Sequence, residues 1–121
     1  MNINAMTQNL RPAGSVLTDD TCDLLCAAAR EKSREMGLDI SFAIADADGL
    51  PRLFRRFGDA LVLSATLVPA KAYTSAITRT PTADLAPLAA DMGNLMGMHT
   101  CDSRITLVPG GVSLLQPAAG R

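Results

Sequence analysis

At 121 residues the chain has room for one hydrophobic core, which excludes two independently folded domains. With 48% hydrophobic and only 19% charged residues, and a mean hydropathy of +0.19, it is neither a disordered nor an acidic-tail protein. Eleven Lys and Arg against twelve Asp and Glu leave a net charge of -1, and aromatic residues make up 3%; such a chain neither attracts phosphate backbones nor stacks bases, so nucleic acid is not an expected partner.

Residues 1–16 carry Asn, Gln, Arg and Pro with no apolar stretch, so they are expected to be a flexible leader rather than a secretory signal. Thr18 then stands before Asp19, Asp20 and a helical apolar pattern, which predicts a capped amphipathic helix over about 18–36 that Gly37 stops. Leu25, Ala28, Ala29, Lys32 and Met36 are its expected inward stripe. The run 40–45 reads as a strand, 46–49 as a turn and 50–57 as a second strand, giving a hairpin closed by Gly58-Asp59. From Ala60 to Ile77 the period is helical, with a kink or break expected at Pro69. Thr80-Pro81 ends that segment, and Thr82 is placed to cap a short helix over 83–92. The Gly- and Met-rich stretch 92–102 has no predicted conformation. Ile105, Leu107 and Val108 suggest a strand, Pro109-Gly110-Gly111 a turn and residues 112–115 a further strand; 116–121 is a polar tail. This order fits an α+β domain over 17–115, an antiparallel sheet with helices on one face, better than alternating βαβ units.

No run approaches the about 18 apolar residues a membrane helix needs. Cys22, Cys26 and Cys101 match neither a disulfide framework nor a Cys-x-x-Cys unit, which makes the cytoplasm the expected compartment. Cys22 and Cys26 share a helix face and are expected to be small buried thiols; a soft-metal site would need Cys101 nearby.

No nucleophile elbow, zinc-protease or phosphate-loop sequence is present, and the single histidine cannot build a multi-histidine metal site. The chemistry-bearing candidates are therefore scattered. Asp46 and Asp48 suit a turn, where Asp bonds backbone amides two residues on, but a carboxylate at a strand end also lies at a sheet rim where a ligand sits. Alternation puts Arg52 and Arg56 on one strand face, suited to a carboxylate or an interface as well as to plain solvation, with Arg55 pointing the other way. Lys71 sits among apolar helix neighbours and is expected to snorkel. His99, between Met98 and Cys101, is a candidate haem-iron ligand or an uncommitted loop histidine. The amides of Gly110 and Gly111 form either an anion nest or an ordinary turn.

Taken in order, Phe42 to Gly49 (FAIADADG), Arg56, Ala70-Lys71-Ala72, Thr80-Pro81-Thr82 and Leu107-Val108-Pro109-Gly110-Gly111-Val112 resemble the GlcG/HbpS family, which includes the C-terminal domain of PduO-type proteins. The resemblance covers about 20–114. It implies an antiparallel sheet covered by helices, homo-oligomeric assembly and, in some relatives, binding of haem or another tetrapyrrole. Asp46, Gly49, Arg56, Lys71, Thr80, Gly110 and Gly111 match family motif positions. Two departures stand out: Gly58-Asp59 reverses the family's Asp-Gly after the arginine, and Ser113 replaces its usual proline. Relatives also continue into a further strand and helix, so an uncovered apolar face, completed by a second copy or by a partner chain, is expected.

The leading expectation is an oligomeric small-molecule-binding protein whose ligand is haem or another tetrapyrrole. Arg52 or Arg56 would meet a propionate, Lys71, Gly110 and Gly111 would complete the binding set, and His99 or a nearby Met would approach the metal. The alternatives are a cofactor-independent enzyme with Asp46 or Asp59 as base and Arg56 holding an anionic intermediate, and a structural subunit completed by a partner chain.

Overall fold

A computed structural model describes residues 17–90 and 93–114, with His99 described in its backbone alone. The expected leader, the 116–121 tail, Leu115 and Met92 lie outside the described residues. Helix α1 is Asp19–Met36, strands β1 and β2 are Ser41–Ala45 and Pro51–Arg56, and helices α2, α3 and α4 are Ser64–Thr78, Thr82–Ala89 and Met98–Cys101. The architecture is α+β. Its hairpin is the one sheet among the described residues, with α2 packed chiefly on β1 and α1 touching both strands.

The ends of α1 are where local chemistry puts them. Thr18 accepts from the Thr21 amide at 3.1 Å, Asp19 and Asp20 occupy the positive first turn, and Gly37 turns left-handed at φ 66°, returning its N–H to Arg34. The inward stripe differs from the expected one. Cys22 and Ser33 are buried, Leu25, Cys26 and Ala29 are half-buried, and Ala28, Lys32 and Met36 face solvent. Apolarity alone misses Ser33, whose hydroxyl donates to the Arg30 carbonyl at 2.7 Å and so enters the interior satisfied.

Turn and hairpin follow from Asp46. One carboxylate oxygen accepts from the amides of Asp48 (2.9 Å) and Leu50 (3.0 Å), closing the tetrad. Gly49, at φ 80°, lies so close to α2 that a Cβ there would stand 2.8 Å from both Ile77 Cγ2 and Tyr73 Cδ1. Beyond the turn the register runs Ala45 to Pro51 and then Ile44 to Leu53, leaving Arg52 as an extra, unpaired residue. This bulge interrupts the alternation that would have set Arg52 and Arg56 on one face. At the open end, the Phe57 amide extends the ladder to the Ile40 carbonyl, and the Phe57 ring is buried.

Helix α2 begins four residues later than predicted, after turns over 61–63, and continues unbroken through Pro69 to Thr78. Its first serine meets the hairpin, with 2.6 Å between the Ser41 and Ser64 hydroxyl oxygens. Thr82 does not cap α3 but is its first residue, following Pro81. Its hydroxyl accepts from the Gly111 amide at 2.9 Å, and its own amide donates to the Gly111 carbonyl at 2.9 Å.

That exchange explains why the two late strands are absent. Residues 105–114 form no strand, because their backbone is bonded to helices through hydroxyls rather than to another strand. The Thr106 amide donates to Thr74 Oγ1 (3.0 Å), and Ser75 Oγ donates to the Val112 carbonyl (3.4 Å). Thr74, Ser75 and Thr82 are buried to make this seam, and no buried side-chain N or O among the described residues lacks a partner. The apolar core is correspondingly modest: Cys22, Ile44, Phe57, Ala60, Leu85 and Ala89. Many large apolar side chains lie outside it, including the consecutive Leu61, Val62 and Leu63 at 79%, 78% and 63% exposure.

Candidate functional site

Helical spacing on α1 brings Asp23, Cys26, Ala27, Arg30 and Arg34 to one side, facing β2 and the residues after it. Between them runs a groove of about 550 Å³ whose other wall is Leu53 to Gly58; small-molecule sites commonly span about 300–1,000 Å³. Ala27, Leu53, Phe54 and Phe57 give it an apolar lining and Cys26 contributes a thiol, while four guanidiniums border it.

Those four cations are not equivalent. Arg30 lies over the Phe57 ring, 5.3 Å from its centroid, and donates to Asp39 at 3.4 Å. The Asp39 carboxylate is held below its ordinary pKa, first by the Asp59 amide and then by Arg30. Arg34 sits 3.7 Å from Glu31 in an exposed pair. Arg55 and Arg56 have no carboxylate partner among the described residues. Arg56 is nonetheless oriented, because its Nε donates to the Ala60 carbonyl at 2.8 Å, which leaves both terminal nitrogens available. The groove therefore presents two adjacent unneutralised guanidiniums beside an apolar surface, a combination suited to a ligand with an oily body and acid groups.

The remaining candidates fall elsewhere. Arg52 donates to the Leu17 carbonyl (3.1 Å) and to Asp19 (2.9 Å), which ties β2 to the start of α1 and raises the arginine's pKa. Asp46 lies at the hairpin turn, and Arg56 pairs with Ser41 at the opposite end. At about 3.3 Å per residue, the six-residue strand separates them by roughly 16 Å. Asp59 is exposed near the Arg56 end. Lys71, Gly110 and Gly111 do come together: a Cβ on Gly110 would stand 3.2 Å from Lys71 Nζ, and Gly111 lies against the Lys71 carbonyl. The Gly111 amide, however, is spent on Thr82, so the pair of amides is not an anion nest. None of these three lines the groove. The side chain of His99 lies outside the described residues, as does any test of it as a metal ligand. Among the described residues no three His, Cys, Asp or Glu side chains gather as a metal site; Cys101 is exposed and Cys26 half-buried, against the expectation of buried thiols.

Sequence reasoning missed a second cluster altogether. The Tyr73 hydroxyl donates to Asp102, Arg104 donates to both oxygens of the same carboxylate at 3.2 Å, and its guanidinium stacks 4.1 Å from the Tyr73 ring centroid. Tyr73 and then Arg104 lower the Asp102 pKa to about 2, while that hydrogen bond raises the tyrosine's. The residues are 29 apart in sequence, and only the family-independent Asp-x-Arg spacing hinted at part of the cluster. Because Tyr73 packs on Gly49, the cluster stands toward the turn of the hairpin, whereas the groove runs to its open end.

Residues 17–120 match the family model of the HbpS-like haem-degrading proteins. The chain belongs to the HbpS-like family. Among curated proteins it is similar to the corrinoid adenosyltransferase PduO of Salmonella typhimurium, with 29% identity over 91 residues, 74% of this chain and 27% of that protein. It thus spans about a quarter of the length of that relative. Among solved structures the HbpS-like chain resembles that of a PduOC:heme complex, with a TM-score of 0.74, 26% identity, and coverage of 79% of this chain and 70% of that one. It also shares the fold of Klebsiella pneumoniae protein ORFY, with a TM-score of 0.77, 21% identity, and coverage of 88% and 75%. The α+β architecture expected from the sequence is the fold of these HbpS-like relatives. No helix among the described residues is long and apolar enough to cross a membrane.

Proposed function

We propose that this protein binds haem, or another tetrapyrrole of that size, in the groove between α1 and β2. The observation that carries the reading is the groove itself: an apolar lining from Leu53, Phe54 and Phe57 beside Arg55 and Arg56, which lack carboxylate partners among the described residues. A flat apolar ring with propionates matches that distribution, and the membership in a family named for haem degradation and the similarity to a haem-bound PduOC support it. Bound haem would bring redox and ligand-binding chemistry at its iron; the chain's part is to shelter the ring and pair its acid groups. Haemin titration followed at the Soret band tests the reading, with a saturable shift at one haem per chain expected. A spectrum unchanged from free haemin overturns it. The same titration on His99→Ala assigns or removes the axial role that the sequence suggests for His99.

We also propose that the subunits self-associate through the exposed apolar surface that includes Leu61, Val62 and Leu63. Monomeric soluble proteins seldom leave large contiguous apolar patches uncovered. Light scattering at low micromolar concentration tests this, and a well-folded monomer refutes it.

A further inference from the structure

We propose that the groove selects its ligand by acid groups rather than by a metal, with Arg55 and Arg56 as the receiving pair. This rests on the haem-site reading above and adds to it a chemical class: an apolar planar body bearing carboxylates, metallated or not. Three observations converge. Arg55 and Arg56 are consecutive residues that both border one cavity, although strict strand alternation would have sent them to opposite faces. Neither meets a carboxylate among the described residues, unlike Arg30 with Asp39 and Arg34 with Glu31. The Arg56 guanidinium is also anchored through Nε by the Ala60 carbonyl at 2.8 Å, so less side-chain freedom is lost when its terminal nitrogens take an acid group. Ala60 is itself buried, which fixes that carbonyl. A bidentate guanidinium–carboxylate pair beside Phe54 and Phe57 is partly shielded from water and gains strength accordingly.

Cys26 supplies an internal reporter. It is half-buried and borders the groove, whereas Cys101 is exposed and is absent from the groove lining, and Cys22 is buried. A ligand seated in the groove will shield Cys26 from alkylation and leave Cys101 reactive.

The experiment uses metal-free protoporphyrin and its dimethyl ester, titrated by fluorescence into the full chain, with iodoacetamide labelling of the cysteines read by mass spectrometry. The diacid is expected to bind at least tenfold more tightly than the diester. R55Q/R56Q is expected to lower diacid affinity at least tenfold and to bring diacid and diester within about twofold, while R55K/R56K retains part of the preference. Both positions are exposed, so the variants keep the fold, checked by circular dichroism. Diacid should slow Cys26 labelling and not that of Cys101. If diester and diacid bind alike, or if R55Q/R56Q leaves the diacid unaffected, or if Cys26 stays unprotected at saturation, the inference is wrong; haemin binding by the wild type would then still support the haem reading. If neither haemin nor protoporphyrin binds the wild type, both fall together.

Discussion

Replacing Thr82 by valine removes one oxygen and almost no volume, yet the structure predicts a large loss. Thr82 is fully buried, and its hydroxyl is the acceptor for the Gly111 amide at 2.9 Å. Valine fills the same space but leaves that buried N–H unpaired, which costs about 1–3 kcal/mol. The reciprocal bond from the Thr82 amide to the Gly111 carbonyl is backbone and survives. Taking about 2 kcal/mol, a domain of this size should lose roughly 8–16 °C in Tm, at about 4–8 °C per kcal/mol. Thr82→Ser keeps the acceptor and loses one methyl, about 0.8 kcal/mol. The ordering wild type, then Ser, then Val is the opposite of what apolar burial alone would give. Urea melts by circular dichroism would measure it, and amide exchange should show the Gly111 N–H opening faster in the valine variant. A valine variant as stable as wild type, with serine the weaker of the two, would refute the hydroxyl seam as the fastening of residues 105–114.

Other outcomes follow from the same coordinates. Gly111→Ala should destabilise by about 1–3 kcal/mol in denaturant melts, because the added Cβ would overlap the Lys71 carbonyl and stand 2.9 Å from Thr82 Cγ2; an unchanged midpoint would contradict that packing. Asp102 is depressed from 3.8 to about 2, by the Tyr73 hydroxyl first and Arg104 second, so its stabilising contribution is present above about pH 4 and is lost as pH falls through about 2. A carboxyl-carbon NMR titration should place its midpoint near that lower value in wild type and move it upward in Tyr73→Phe; a wild-type midpoint at 3.8 would dissolve the cluster. Arg52→Gln breaks a pair whose Asp19 partner is 94% exposed, so stability should fall by less than about 1 kcal/mol and haemin affinity should stay within twofold. An affinity loss above fivefold would move the ligand from the groove to the start of α1.

Local chemistry was legible wherever a few neighbouring residues settle a conformation. The Thr18 cap, the Gly37 stop, the Asp46 turn and the hairpin all appear as expected, since each bond spans five residues or fewer or follows from alternation. The candidate site was less so. Arg56 was identified as a residue, but Arg55 was assigned to the other face, because a bulge at Ile44 and Ala45 is invisible in the strand pattern. Arg30 and Arg34 read as the solvent side of a helix until β2 was set opposite them.

By itself the sequence determined an α+β chain, the ends of α1, the hairpin and its turn, and the resemblance to the HbpS-like family, all carried by periodicity and short motifs. Only the tertiary structure decided that residues 105–114 lie against helices instead of forming strands, that Tyr73 meets Asp102 across 29 residues, and that four arginines border one groove. The physical reason is the range of the interactions. Caps and turns are satisfied within a few residues, whereas a backbone amide that finds its partner in a buried hydroxyl tens of residues away leaves no periodic trace in the chain.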